Sequence, residues 1–222
     1  MNSRWPCGAA TKWVASLALA ACALEESSTQ TAGGPRFYSE LGMGGRYLAD
    51  DSIYGNASEH GVLSLAMAGV GEQGWGLEFL AAASFPSLWD TLPVEENGQF
   101  LSTDSTTTEL SLGPCLVVTD PETPWHVRFG LGPSWINADV WRERADSVYL
   151  EEKSGDGSLG LYGHASVLYE LGSLGPGPSR WTVGIDLRFL VFTQMDFFGE
   201  SFPGQSGDAD YFQFLLLFGV VP

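Results

Sequence analysis

From Trp181 to Phe192, apolar residues alternate with small or charged ones. Trp181, Val183, Ile185, Leu187, Phe189 and Val191 share one parity, while Thr182, Gly184, Asp186 and Arg188 share the other. A period of two is a β-strand with two chemically different faces. Seven further runs read the same way: 37–49, 61–70, 75–85, 106–119, 125–140, 159–171 and 211–221. Long polar stretches (50–60, 86–104, 141–158, 197–210) alternate strictly with short turns (71–74, 120–124, 172–180). The alternation predicts an all-β fold: an eight-stranded antiparallel up-and-down β-barrel with both termini at one end.

The direction of the apolar face separates two barrels. In a soluble periplasmic ligand-binding barrel it points inward, and in a transmembrane barrel it points out to lipid. The aromatics favour lipid. Phe37, Trp75, Trp125 and Trp181 open the odd-numbered runs, and ten residues later on the same face stand Tyr47, Phe85, Trp135 and Val191. Ten residues at about 3.3 Å span roughly 33 Å, which a tilt of about 40° reduces to about 25 Å, the height of a lipid-facing band between aromatic girdles. Phe37, Tyr47, Trp75, Phe85, Trp125, Trp135 and Trp181 are therefore the candidate lipid-interface aromatics. Lysine points the same way. Only Lys12 and Lys153 occur, and neither lies in an expected strand, so little of the surface is built to face water.

Composition narrows the remaining classes. A net charge of −17 argues against nucleic-acid binding, which needs a basic footprint. Arg4 and Lys12 followed by the short apolar stretch 13–21 form an export signal over residues 1–22. Leu19-Ala20-Ala21-Cys22 resembles the bacterial lipobox, which makes Cys22 a candidate lipidation site; the alternative is ordinary cleavage at Ala21-Cys22-Ala23. Residues 23–35 read as a flexible tether and 36–222 as the barrel. With Cys7 and Cys22 in the signal, Cys115 is left alone, so no disulfide framework is expected.

On this pattern the chain resembles the small outer-membrane barrels of the OmpA/OmpX type, across about residues 36–222. The resemblance implies a bacterial outer-membrane location, short periplasmic turns and longer extracellular loops. Three features depart from it. The last strand ends Val220-Val221-Pro222 instead of in an aromatic, with Phe218 standing in four residues earlier. Pro114 and Pro133 lie inside strands, each after a Gly, where bulges are expected. Leu190 and Phe192 make the inward face of the seventh run apolar near its extracellular end.

With the apolar parity outward, the inward list contains Glu40, Arg46, Glu78, Glu109, His126, Arg128, His164, Ser166, Glu170, Asp186 and Arg188. Glu40, Glu78, Arg128, Glu170, Asp186 and Arg188 fall toward the periplasmic halves of their strands and are expected to form one ion-pair network. An eight-stranded lumen is just wide enough for side chains to fill, so a plugged, structural or surface-interacting barrel is the leading expectation. A narrow cation-leaning pore is the alternative, because acids outnumber bases inside. His164-Ala165-Ser166 is similar to the His-x-Ser pair of the lipid A 3-O-deacylases, which makes a lipid A-modifying hydrolase a further alternative. That resemblance fails at Val167, where the family has Asn, and at Pro178, where it has the Glu of its triad, so no catalytic residue and no enzyme activity is expected. No cofactor and no metal centre are expected either. The partners expected are outer-membrane lipid and a surface ligand or divalent cation at the acidic loops (Asp50, Asp51, Glu59; Asp90, Glu95, Glu96, Asp104; Glu143, Asp146, Glu151, Glu152, Asp156; Glu200, Asp208, Asp210), with the chain a monomer.

Overall fold

The structure, a computed structural model, describes residues 35–50, 58–86, 94–96, 99–119, 122–144, 151–173, 179–197 and 205–221. The expected export signal, Cys22 and the expected tether up to residue 34 lie outside the described residues, as do Asp51, Asp90, Asp146 and Glu200 of the expected acidic loops.

Eleven strands are present: β1 (Arg36–Leu48), β2 (Glu59–Val70), β3 (Trp75–Pro86), β4 (Val94–Glu96), β5 (Gln99–Thr119), β6 (Trp125–Arg144), β7 (Glu151–Ser173), β8 (Arg180–Val191), β9 (Met195–Phe197), β10 (Gln205–Gly207) and β11 (Tyr211–Val221). Eight of them form the barrel, in the order β3-β2-β1-β11-β8-β7-β6-β5, with β5 pairing back onto β3. Every ladder is antiparallel, and β1 closes the ring against β11 through ten consecutive partners from Ser39↔Val220 to Leu48↔Tyr211. Closure leaves no free edge in the membrane band, where an unpaired backbone polar group would have no water to bond.

The alternating pattern sets the two faces as expected. Trp75 is 61% exposed and Leu77 65%, whereas Glu78 between Leu77 and Phe79 is 1% exposed. Phe37, Tyr47, Phe85, Trp125, Trp135 and Trp181 are all exposed on the outer wall. An outer wall of this kind is untenable in water, so the soluble ligand-binding alternative is overturned: the apolar face points outward. Several outward glycines are roofed by the aromatic paired with them. A Cβ on Gly61 would meet the Phe85 ring at 2.4 Å, and one on Gly163 would meet the Phe189 ring at 2.5 Å, so the ring protects backbone that glycine leaves bare.

Three expectations are corrected. First, the strands run further than the apolar pattern. β5 begins at Gln99, β6 reaches Arg144 and β7 begins at Glu151, so much of 86–104 and 141–158 is strand. Once three strands leave the membrane side by side their ladders can continue in water, where polar residues such as Thr106 and Asn137 on the outer face and Ser105 and Thr107 on the inner one suit both faces. Secondly, Gly-Pro produces no bulge. Leu77↔Pro114 and Pro133↔Leu161 sit in unbroken registers. Between β5 and β6 the register is the same on both sides of the prolines, from Ser111↔Ser134 to Cys115↔Gly130, with no partners assigned in between. Gly113 and Gly132 face each other there so closely that a Cβ on Gly132 would stand 2.9 Å from Gly113 Cα. The shift in register occurs instead at Glu170/Gly172 between β7 and β8, where Gly172 adopts φ +100°. Thirdly, Phe192 does not line the lumen: its φ of 67° turns it outward, and it is 77% exposed.

Candidate functional site in the barrel lumen

The inward faces stack in layers. Toward the end where β1 begins and β11 ends, Tyr38, Val70, Cys115, Val117, Leu168, Leu217 and Val221 form an apolar floor. Toward the outside, Leu48, Ile136, Ala138, Val140 and Leu190 meet Met195, Phe197 and Ala209, which are carried by the β9–β10 hairpin and the segment after it. The arginines and their carboxylates therefore occupy the middle of the lumen, and polar side chains continue on either side of it: His60 with Ser84 and Ser105, and His126 with Glu170.

That middle holds two charge clusters. In the upper one, Glu109 accepts hydrogen bonds from Arg46 Nη2 at 2.7 Å, Tyr211 Oη at 2.6 Å, Ser111 Oγ at 2.9 Å and Ser134 Oγ at 3.0 Å. Arg46 also donates to Gln213 Oε1 at 2.9 Å and Thr107 Oγ1 at 2.6 Å, and its guanidinium lies 3.8 Å from the Tyr211 ring centroid. Every polar atom of the pair is thus occupied, the condition under which a buried ion pair is tolerated.

In the lower cluster Arg128 grips Glu40 with two parallel bonds, Nη1 to Oε1 at 2.8 Å and Nη2 to Oε2 at 2.7 Å. Its Nε lies 3.7 Å from Glu78. Glu78 accepts from Tyr162 Oη at 3.0 Å and from His164 Nε2 at 2.9 Å. His164 Nδ1 lies 2.7 Å from Asp186, and Arg188 stands 3.6 Å from the same carboxylate. Each ring nitrogen of His164 thus faces a carboxylate, so the ring bridges Glu78 and Asp186, while Arg128 and Arg188 stand against the three acids of the cluster.

Five of the six residues assigned to one network come together here: Glu40, Glu78, Arg128, Asp186 and Arg188. Glu170 does not join them. It sits at the mouth on the side of the barrel where β1 begins, where its carboxylate takes His126 Nε2 at 2.6 Å and Arg180 Nη1 at 2.5 Å. It lies near the lower end of its strand, a level below the buried charges. Tyr162 and His164 are the members that pairing of acids with arginines missed. Inward parity was their only signal, together with Gly130, where a Cβ would stand 1.8 Å from Glu78 Oε1 and 2.6 Å from His164 Nε2.

Chemistry at His164-Ala165-Ser166 finds no support in this geometry. Both ring nitrogens of His164 are held by carboxylates, so neither has a lone pair free to take the Ser166 proton. Ser166 itself is fully buried and its Oγ has no hydrogen-bond partner among the described residues. Among the described residues, no group of three or more His, Cys, Asp or Glu side chains is arranged to hold a metal ion.

The acids above the barrel that the structure describes serve mainly as acceptors for backbone N–H groups. Asp156 takes Asp196 N at 2.9 Å, Asp50 takes Asp208 N at 3.2 Å, and Asp210 takes Phe192 N at 3.1 Å and Thr193 N at 2.9 Å. Burial, with Asp210 and Asp50 nearby, holds the Asp208 carboxyl above the usual carboxylate range. Asp210 is the latch of the lid: it fixes Phe192 in a left-handed conformation that a bulky residue seldom adopts and also accepts from Thr193 Oγ1 at 2.7 Å. Asp210→Ala is expected to cost about 1–3 kcal/mol through the orphaned donors. The loss should appear first as protease cleavage within 192–210 while the barrel still resists boiling-free electrophoresis. Cleavage equal to wild type would show that the latch is dispensable.

No protein family and no curated protein matches the chain. Solved structures do match. Neisserial surface protein A (TM-score 0.50, 13% identity) covers 86% of this chain and 98% of its own. Ail, the attachment invasion locus protein of Yersinia pestis (TM-score 0.51, 12% identity), covers 85% and 99%. The outer membrane protein OprG from Pseudomonas aeruginosa (TM-score 0.54, 14% identity) covers 88% and 99%. At these identities the likeness concerns the fold, which agrees with the eight-strand closure and the outward apolar wall: the chain is a small eight-stranded transmembrane β-barrel of the outer-membrane type.

Proposed function

We propose that this protein is a closed, non-enzymatic barrel of the bacterial outer membrane that holds a stiff sheet above the cell surface. The observation that carries the reading is the filled lumen: Arg46, Glu109, Arg128 and Arg188 are each 2% exposed or less, between an apolar floor and an apolar lid. An ion would have to displace paired charges and pass two apolar layers. The extended strands supply the surface element. β5, β6 and β7 remain paired up to Leu101↔Arg144 and Glu143↔Glu151, whereas β8 joins β7 only from Leu161↔Val191 downward. From Trp135 to Arg144 the sheet extends by roughly 30 Å along the strand at about 3.3 Å per residue. Lys153 lies 4.9 Å from the Trp141 ring centroid and 3.5 Å from Asp139, giving that sheet a mixed, exposed polar face suited to contacts outside the cell.

Purified protein in a planar lipid bilayer is expected to give no discrete current steps above leak. Reproducible cation-selective steps would overturn the closed reading in favour of a narrow pore.

A further inference from the structure

The outer wall has a notch that the rest of the barrel lacks a use for. One transverse row across four neighbouring strands reads Phe214, Gly45, Gly61 and Phe85, through the pairs Gly45↔Phe214, Gly45↔Gly61 and Gly61↔Phe85. All four positions face outward by parity. Two adjacent strands therefore present glycine between two phenylalanines, and Gly45 is left uncovered. The row above carries Phe212, Tyr47 and Glu59, and the row below Met43, Leu63 and Ala83. The result is a groove of about 460 Å³ lined by Tyr47, Phe85, Pro86, Phe212 and Phe214 over the two glycines. Its size falls in the range of about 300–1,000 Å³ common for ligand pockets.

The floor is open in one place. Phe85 leans over Gly61, but a Cβ added at Gly45 would find only His60 O, at 3.8 Å. Gly45 needs no unusual backbone conformation and serves no turn. Its missing side chain creates space and nothing else that the fold requires.

We propose that this groove holds one acyl chain of a lipid in the outer leaflet. The occupant follows from position. The groove is continuous with the lipid-facing wall and lies at the extracellular girdle, with Phe85 in its row and Tyr47 one row above, so it opens sideways at the outer edge of that leaflet's hydrocarbon. Glu59 and Tyr47 close its upper end, where the polar part of the lipid begins. A tail in hydrocarbon gains nothing hydrophobic by entering. What the groove offers is dispersion contact on three sides, from rings and backbone in place of mobile neighbours. One lipid should consequently stay with the barrel longer than those packed against the convex wall elsewhere.

The test is native mass spectrometry of the detergent-purified full chain incubated with dioleoyl phosphatidylethanolamine, comparing wild type with Gly45→Leu, whose Cβ meets nothing closer than 3.8 Å and whose longer side chain occupies the floor. Wild type is expected to retain a one-to-one lipid adduct after the detergent is stripped, and G45L to lose it. Phe85→Ala, which removes a wall and adds no bulk, is expected to lose the adduct as well and keeps the test decisive if G45L fails to fold. Wild type without a retained lipid, or variants that retain it equally, would overturn the proposal. A wild-type dimer abolished by the same variants would also overturn it, by making a second copy of the chain the occupant.

Discussion

Glu109→Ala is expected to remove about 3–5 kcal/mol of barrel stability, the cost of leaving a buried partner charge uncompensated. The magnitude follows from what loses its acceptor. Arg46 keeps only Gln213 and Thr107, while the Tyr211, Ser111 and Ser134 hydroxyls each lose the same carboxylate. The companion variant separates charge from packing. Replacing both partners, Glu109→Leu with Arg46→Met, removes the stranded charge and is expected to recover more than half of the loss, because the desolvation cost of the pair disappears with it. Urea titration in detergent micelles, read from the mobility difference between boiled and unboiled samples, gives both numbers. A loss below about 1 kcal/mol in E109A would mean that the cluster is wet enough to repair itself.

Two adjacent glycines are expected to behave in opposite ways. Gly44 carries the inward parity at the seam between the first and last strands, opposite Leu215. A Cβ there would stand 1.9 Å from Phe214 O and 2.9 Å from Leu215 Cα, both backbone atoms of the strand that closes the barrel. Gly44→Ala must therefore push the seam apart, at a cost of about 1–3 kcal/mol or more, and the fraction of chain that closes on refolding into micelles should fall. Gly45→Ala, one residue on and facing out, meets nothing closer than 3.8 Å and should change stability by less than about 0.5 kcal/mol. The pair is measured side by side in the same refolding assay. Equal effects would mean that the β1–β11 seam yields more easily than its paired backbone implies.

Much of the architecture was legible in the chain. Period-two alternation from Trp181 to Phe192 and in seven other runs set the strand count, the up-and-down connectivity and the outward direction of the apolar face, because parity is a local property that backbone geometry imposes on each strand separately. The aromatic interval from Phe37 to Tyr47 and from Trp75 to Phe85 carried the membrane. Glycine and charge on the inward parity marked the lumen as filled. What parity cannot carry is height. It placed Glu170 with Asp186 and Arg188, yet the register of β7 on β8 shifts just beyond Glu170 and Glu170 pairs with His126 and Arg180 at the mouth. It put Phe192 in the lumen, although the backbone there, bonded to Asp210, takes a left-handed turn that sends the ring outward. It read polar stretches as loops, although strands that leave the membrane together go on pairing in water. Partners such as Arg46 and Glu109, or His164 and Glu78, lie 63 and 86 residues apart, and the shear of the closed barrel decides which inward residues share a level. The sequence by itself determined the strands, their faces and the medium each face meets, since those follow from hydrophobic periodicity. The tertiary structure alone decided the pairing inside the lumen, the lid over it and the bare row in its wall, since each depends on how eight strands are staggered when the sheet closes on itself.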